Sequence, residues 1–175
     1  MNPDRTDAYL AAVLDPRSGL HVRAYFLESL HREFAYATRH GTLVSVVIAR
    51  VDGMDALRAE WGSNLLDQAL AAVATCLHHA VRAEDLLADW QVGTFALLLR
   101  DVDAGTASLV SERLRRTVGR LHEREGDLQF PVTISAGTAT TRPDGKENPA
   151  DLFRQAEANL RMAAEQGGDR VVPGL

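Results

Sequence analysis

The chain has 175 residues, of which 46% are hydrophobic and 25% charged, with a formal net charge of −5. This length and composition are those of one folded domain with a real core, and they exclude disordered and collagen-like chains. The basic residues are dispersed, so we expect no nucleic-acid-binding surface. The first residues contain no apolar segment of signal-peptide type, and the longest apolar runs have only strand length. We therefore expect a cytoplasmic protein that does not enter a membrane.

The first half of the chain shows an alternation of helical and strand patterns. Helical spacing of apolar residues predicts a short helix over residues 7–14 and a longer one over residues 21–38. A continuous β-branched run over residues 43–49 predicts a strand that is covered on both faces. Residues 54–81 are predicted to form a helix that is interrupted near Gly62.

The second half continues the same alternation and opens with a hairpin. Two strand-like runs, residues 86–90 and 94–99, are separated by three residues that include a glycine. The remaining predicted elements are a helix over 107–121, a strand over 131–139, a helix over 149–166 and a final strand over 170–172. Without repeats or a linker, this order predicts one α/β domain with a central mixed β-sheet flanked by helices.

Side chains that often bear metal or redox chemistry show no pattern of their own. Cys76 is the single cysteine and lies in an apolar helical run, which predicts a buried and inert thiol. The six histidines lack the spacing of zinc ligands. We therefore predict no metal site and no cofactor.

Five segments spread over nearly the whole chain carry short sequence motifs: residues 15–23, 51–62, 85–95, 133–137 and 156–171. In order and spacing they resemble the GGDEF domain of diguanylate cyclases, which opens with DPLTGLxNR and carries its signature in a hairpin. The resemblance implies a nucleotidyl cyclase-like fold. It places an N-terminal helix and lead-in loop at residues 1–20 and a degenerate GGDEF domain at residues 21–175.

The resemblance also implies that the metal site is lost. The family joins two GTP molecules by metal-dependent phosphoryl transfer, with the metal held by the first Asp of DxD and an acidic residue of the hairpin. Arg50 and Gly93 stand at these positions. Asp52, the second Asp, is present, and residues two apart on a strand share a face, so we expect Asp52 to pair with Arg50 in place of a metal. No catalytic residue is predicted.

The GTP-binding positions differ as well. Arg58 stands where the family has a guanine-contacting Asn, while the matching acidic residue is present as Asp67. Ala164 and Gly168 replace the Lys and Arg that hold the triphosphate, and residues 91–92 replace the paired glycines of the hairpin. By itself, Asp67 is expected to be a solvated helix residue. The resemblance therefore predicts a chain without cyclase activity.

One further motif resembles a second site of the family. Residues 82–85 read RAED, an RxxD sequence whose arginine lies nine residues before the first hairpin-glycine position, and residues 112–115 read ERLR. Many GGDEF domains bind cyclic di-GMP through such strings, in the inhibitory site or I-site. The resemblance makes Arg82, Asp85 and Arg113 the candidate ligand-binding residues. Guanidinium forks and a carboxylate suit the hydrogen-bonding edges of guanine.

Two hypotheses stay open on the sequence. The first is a catalytically inactive GGDEF domain that acts as a cyclic di-GMP receptor through this RxxD site, dimerises with the shared ligand and signals through an unidentified protein partner. The second is a nucleotide-independent interaction scaffold with a vestigial RxxD sequence. Alone, such charged strings are also ordinary helix surface, where an ion pair contributes at most about 1 kcal/mol.

Overall fold

The computed structural model of the protein describes residues 9–121, 132–141 and 148–174. Within these ranges the elements are, in chain order, β1 (His21–Val22), α1 (Arg23–His40), β2 (Val44–Val51), α2 (Met54–Ala80), β3 (Leu86–Gln91), β4 (Thr94–Arg100), α3 (Ala104–Gly119), β5 (Ile134–Thr140), α4 (Pro149–Glu165) and β6 (Val171–Val172).

The strands that the structure describes form one six-stranded mixed sheet in the order β1-β3-β4-β2-β5-β6. The central strand β2 pairs antiparallel with β4 and β5, and β3 pairs antiparallel with β4 to form the predicted hairpin. The short edge strands β1 and β6 run parallel to β3 and β5. The predicted α/β fold with a mixed, helix-flanked sheet is confirmed.

Helices cover both faces of this sheet. Val46 and Ile48 of β2 belong to a core that includes Phe26 of α1, whereas Val47 belongs to the opposite core together with Leu77 of α2. Successive side chains of a strand point to opposite faces, so a strand buried on both sides is apolar throughout. Full burial of one such side chain contributes about 1.5–3 kcal/mol to folding.

The predicted helices and strands are confirmed in type, and their ends shift by a few residues. Gly62 has φ 74° and ψ 171°, which interrupts α2 where the sequence indicated. Residues 9–13 are helical, within the predicted segment 7–14; residues 7, 8 and 131 of the predicted elements lie outside the described residues. Strand β1 was not predicted, because two residues are too short for a periodic pattern.

Strand β3 joins the two places where function is expected. Asp85 directly precedes this strand, and the hairpin turn at residues 92–93 directly follows it. A strand of six residues spans roughly 20 Å at about 3.3 Å per residue. The RxxD sequence and the hairpin turn therefore lie at opposite ends of one rigid element.

Candidate functional site

One metal position, Arg50, and the two phosphate positions on and after α4 lie around one cleft beside the first turn of α2, whereas the hairpin position Gly93 lines a second cavity. The cleft has a volume of about 620 Å³, and Arg50, Asp52, Ala164 and Gly168 contribute to its lining. Ala164 and Gly168 bring no basic side chain to it. Arg50 is the only basic residue among the described residues that line the cleft, which leaves little positive charge for a triphosphate.

Asp52 is held by hydrogen bonds that differ from the predicted ones. Thr133 Oγ1 donates to Asp52 Oδ2 over 2.8 Å, and Ser135 Oγ donates to Oδ1 over 2.6 Å. The backbone N–H of Asp169 donates to Oδ2 over 3.0 Å. In the described part of the chain, Arg50 makes no ion pair. The predicted Arg50–Asp52 pair is therefore wrong, because two hydroxyls and an amide satisfy the carboxylate.

The hairpin position of the second metal ligand holds a glycine whose backbone and neighbours disfavour a side chain. Gly93 has φ +72°, in the left-handed region that favours glycine. A Cβ built on Gly93 would lie 2.7 Å from Sδ of Met54, closer than real contacts allow. A carboxylate at position 93 would require both a strained backbone and movement of Met54.

The residues around the cleft do not fit a divalent cation. A metal bound between phosphates needs oxygen ligands, and the two positions that would supply carboxylates hold a guanidinium and a glycine. The carboxylate of Asp52 already accepts three hydrogen bonds from within the chain. Among the described residues there is no cluster of three or more His, Cys, Asp or Glu side chains able to hold a metal.

A second cavity, of about 310 Å³, lies between α2 and the β3–β4 hairpin, and Asp67, Asp89 and Arg17 line it over an apolar floor. Asp67 is exposed, as expected for a solvated helix residue. Arg17 lies 3.7 Å from the carboxylate of Asp15. Burial raises the pKa of the half-buried Asp89 carboxyl. Asp89 was not predicted as a site residue, although a charged residue inside an apolar strand is a pattern that could have indicated it.

The RxxD sequence forms a compact turn between α2 and β3. The backbone N–H of Arg82 donates to Oδ2 of Asp85 over 3.2 Å, and the N–H of Asp85 donates to the carbonyl of Arg82 over 3.1 Å. Arg82 is exposed and Asp85 is half-buried. Burial raises the pKa of the Asp85 carboxyl, while the Arg82 amide and the guanidiniums of Arg82 and Arg113 act in the opposite direction.

Arg113 reaches this turn from the neighbouring helix α3. Its Nη2 donates to the carbonyl of Ala80 over 2.9 Å, which places the guanidinium at the carboxyl end of α2, two residues before Arg82. Arg113 is exposed, so its remaining N–H donors face solvent. The structure thus brings the three predicted residues, Arg82, Asp85 and Arg113, together on one surface.

Arg115, the other arginine of the ERLR string, has a different role. Its guanidinium donates to Glu112 over 2.9 and 2.7 Å and to Asp169 over 2.5 Å. The pKa of Glu112 is lowered to about 2, mainly because Arg115 donates hydrogen bonds to its carboxylate. The pair of Arg115 and Asp169 joins α3 to the segment after α4. The backbone N–H of Asp169 also donates to Asp52, so the same segment is joined to the end of β2.

No helix that the structure describes is both long and apolar enough to cross a bilayer.

A mixed sheet with this strand order, a central hairpin and motifs in this sequence defines a nucleotidyl cyclase-like domain. The sequence pattern described as "Diguanylate cyclase, GGDEF domain" matches residues 12–170, and the chain belongs to the GGDEF family. It is 32% identical over 160 residues to the probable diguanylate cyclase DgcT of Escherichia coli, and 30% identical over 166 residues to the response regulator PleD of Caulobacter vibrioides.

These matches cover 90% and 92% of the chain but only 35% and 36% of DgcT and PleD. The chain therefore spans about a third of the length of these curated relatives.

Solved structures show the same architecture. The coiled coil and GGDEF domain of DgcB from Caulobacter crescentus, in complex with c-di-GMP, superposes with a TM-score of 0.87 at 23% identity, covering 97% of this chain and 89% of that one. The diguanylate cyclase SiaD from Pseudomonas aeruginosa, in complex with its activator SiaC, gives a TM-score of 0.86 at 30% identity, covering 96% of this chain and 64% of that one.

Proposed function

We propose that this chain is a cyclic di-GMP receptor without diguanylate cyclase activity, and that Arg82, Asp85 and Arg113 bind the ligand. The observation that carries the proposal is the placement of the three side chains: the backbone N–H of Arg82 donates to the half-buried Asp85 carboxylate, and Arg113 donates to the carbonyl of Ala80, two residues before Arg82. At the same time, the metal positions are Arg50 and Gly93. The chain therefore has the groups that are proposed to bind the ligand, and it lacks carboxylates at the two metal positions.

The chemistry of the three side chains fits the two guanines and two phosphates of cyclic di-GMP. A guanidinium donates two parallel hydrogen bonds to O6 and N7 of guanine, or a fork to a phosphate. A carboxylate accepts from the N1–H and N2–H groups of the same base. The hydrogen bonds of Arg82 to Asp85 fix the turn through the backbone, which leaves the Arg82 guanidinium for the ligand.

The proposal that the chain makes no cyclic di-GMP rests on the cleft. Phosphoryl transfer between two GTP molecules needs a metal to balance the phosphate charge. Arg50 brings positive charge to that position, Met54 occupies the space beside Gly93, and Asp52 is held by three internal donors. Incubation with GTP and either magnesium or manganese is expected to yield no cyclic di-GMP above a no-protein control.

The binding half of the proposal is supported by the complex of DgcB with c-di-GMP, and a role for a separate protein partner by the complex of SiaD with SiaC. Equilibrium titration with cyclic di-GMP tests it. Saturable binding supports the receptor, whereas an absence of binding at tens of micromolar ligand favours the interaction scaffold.

A further inference from the structure

A groove between α2 and α3 opens beside the RxxD turn. This α2–α3 groove has a volume of about 410 Å³, and its polar lining comes from Thr75, Cys76, His79, Arg113 and Thr117. The volume lies within the range of about 300–1,000 Å³ that is typical of small-molecule sites. Because Arg113 belongs both to the groove and to the proposed I-site, the two are parts of one continuous surface.

The geometry of α2 places its groove residues on one side of the helix. Thr75, Cys76 and His79 are separated by one and three positions, so they share a face. The hydroxyl of Thr117 donates to the carbonyl of Arg113 over 2.8 Å, which orients it on α3. The hydrogen bond from Arg113 to Ala80 closes the groove at the end where the RxxD turn begins.

We propose, on the basis of the proposed function, that one guanosine half of cyclic di-GMP enters the α2–α3 groove and that His79 contacts it directly. An imidazole offers a ring face for stacking on a purine and N–H and N groups for hydrogen bonds to its edge or to a phosphate. His79 is exposed on the groove wall. Arg113 then contacts the ligand at the junction between the groove and the turn.

His78 provides a matched comparison for His79. It is the preceding residue of α2 and is also exposed, but it does not line the groove. Burial lowers the pKa of His21, and the nearby His78 acts in the same direction. The centroids of the two imidazole rings of His78 and His79 lie 6.0 Å apart, but only His79 lines the groove.

The first experiment is calorimetric titration of the whole chain with cyclic di-GMP. His79→Ala is expected to weaken binding about tenfold, as for loss of one base-stacking side chain, while His78→Ala stays within about twofold of wild type. His79→Gln keeps hydrogen-bonding groups without the ring, and its affinity for cyclic di-GMP is expected to lie between those of His79→Ala and His78→Ala. Both positions are exposed, and circular dichroism checks that each variant folds.

The second experiment uses the single cysteine of the chain, Cys76, which was predicted to be buried but is only partly buried and lines the groove. Saturating cyclic di-GMP is expected to slow maleimide modification of Cys76, and Arg82→Ala is expected to remove that protection. If wild type binds cyclic di-GMP but His79→Ala matches His78→Ala and the Cys76 rate is unchanged, the groove proposal is wrong and the receptor proposal stands. If wild type does not bind cyclic di-GMP at all, both are wrong.

Discussion

At the scale of single residues, the proposed ligand site depends on Asp85 and its two arginines. Burial raises the pKa of the Asp85 carboxyl, and Glu84 acts in the same direction; the backbone N–H of Arg82 opposes them first, followed by the guanidiniums of Arg82 and Arg113. A ligand that accepts from the arginines and donates to the carboxylate would use all three groups at once. Asp67, in contrast, is exposed on the wall of a cavity at the hairpin end of β3.

Arg82→Ala is therefore expected to weaken cyclic di-GMP binding by roughly 1.5–3 kcal/mol, or about ten- to a hundredfold, because a charged hydrogen-bonding partner is lost. Asp85→Ala is expected to cost a comparable amount. Asp67→Ala is the control and is expected to leave affinity unchanged. The measurement is calorimetric titration of each variant. Binding that survives Arg82→Ala would show that the ligand occupies another site.

The resemblance to the family made Arg82, Asp85 and Arg113 the candidate residues, because each lies in a short motif at a fixed distance from the hairpin, and their binding role stays a prediction. Sequence reasoning did not locate the true partners of Asp52, because Thr133 and Asp169 lie far from it in sequence and reach it only through sheet pairing and the turn after α4. It also missed the contact of Met54 with Gly93, which depends on side-chain packing across the hairpin turn.

At the scale of elements, two of the three arginines of helix α3 make contacts in different directions. Arg113 points to the end of α2, and Arg115 points to Glu112 and Asp169. The motif ERLR does not show which arginine contacts which neighbour. Residues two apart on a helix differ by more than half a turn, so the two side chains face different neighbours. Helices and strands themselves were predictable, because their apolar periodicity reflects burial against the sheet.

Arg115→Ala is expected to destabilise the fold by about 1–2 kcal/mol, because it removes charge-assisted hydrogen bonds from a side chain that is only 21% exposed. A loss of this size lowers Tm by about 2–8 °C in a domain of this length. Arg116, whose side chain is 66% exposed and forms an ion pair with Glu112, provides the control: Arg116→Ala should change stability by less than about 0.5 kcal/mol. Thermal unfolding measures both.

Cyclic di-GMP affinity in Arg115→Ala separates the two arginines further. We expect it to equal that of wild type. Weak ligand binding with unchanged stability would mean that Arg115, and not Arg113, belongs to the ligand site.

The hairpin and strand β2 supply another prediction. The double variant Arg50→Asp, Gly93→Glu restores both acidic positions, yet it is expected to form no cyclic di-GMP from GTP with magnesium or manganese. Position 93 has a left-handed φ and faces Met54, and the phosphate positions still hold Ala164 and Gly168. Product detected by chromatography above the wild-type level would show that the two acids suffice.

At the scale of the whole molecule, the described residues form one sheet with a core on each face. The RxxD turn and Arg113 lie on the outer surface, at the opposite end of β3 from the hairpin. An exposed site of this kind leaves part of a large ligand uncovered. A second copy of the chain can then cover the remaining face of the ligand with the same residues.

Cyclic di-GMP is accordingly expected to shift the protein from monomer towards dimer. Sedimentation equilibrium with and without saturating ligand measures the change in mass, and Arg82→Ala should abolish it. A wild-type protein that binds the ligand and keeps its monomer mass would retain the receptor role and exclude the shared-ligand dimer.

We propose that the chain binds cyclic di-GMP at the RxxD turn and not in the cleft beside the first turn of α2. The most direct test is calorimetric titration of the wild-type protein with cyclic di-GMP, repeated in the presence of excess GTP and magnesium. We predict saturable binding in the micromolar range that GTP does not displace. No binding at tens of micromolar ligand, or full competition by GTP, would contradict the claim.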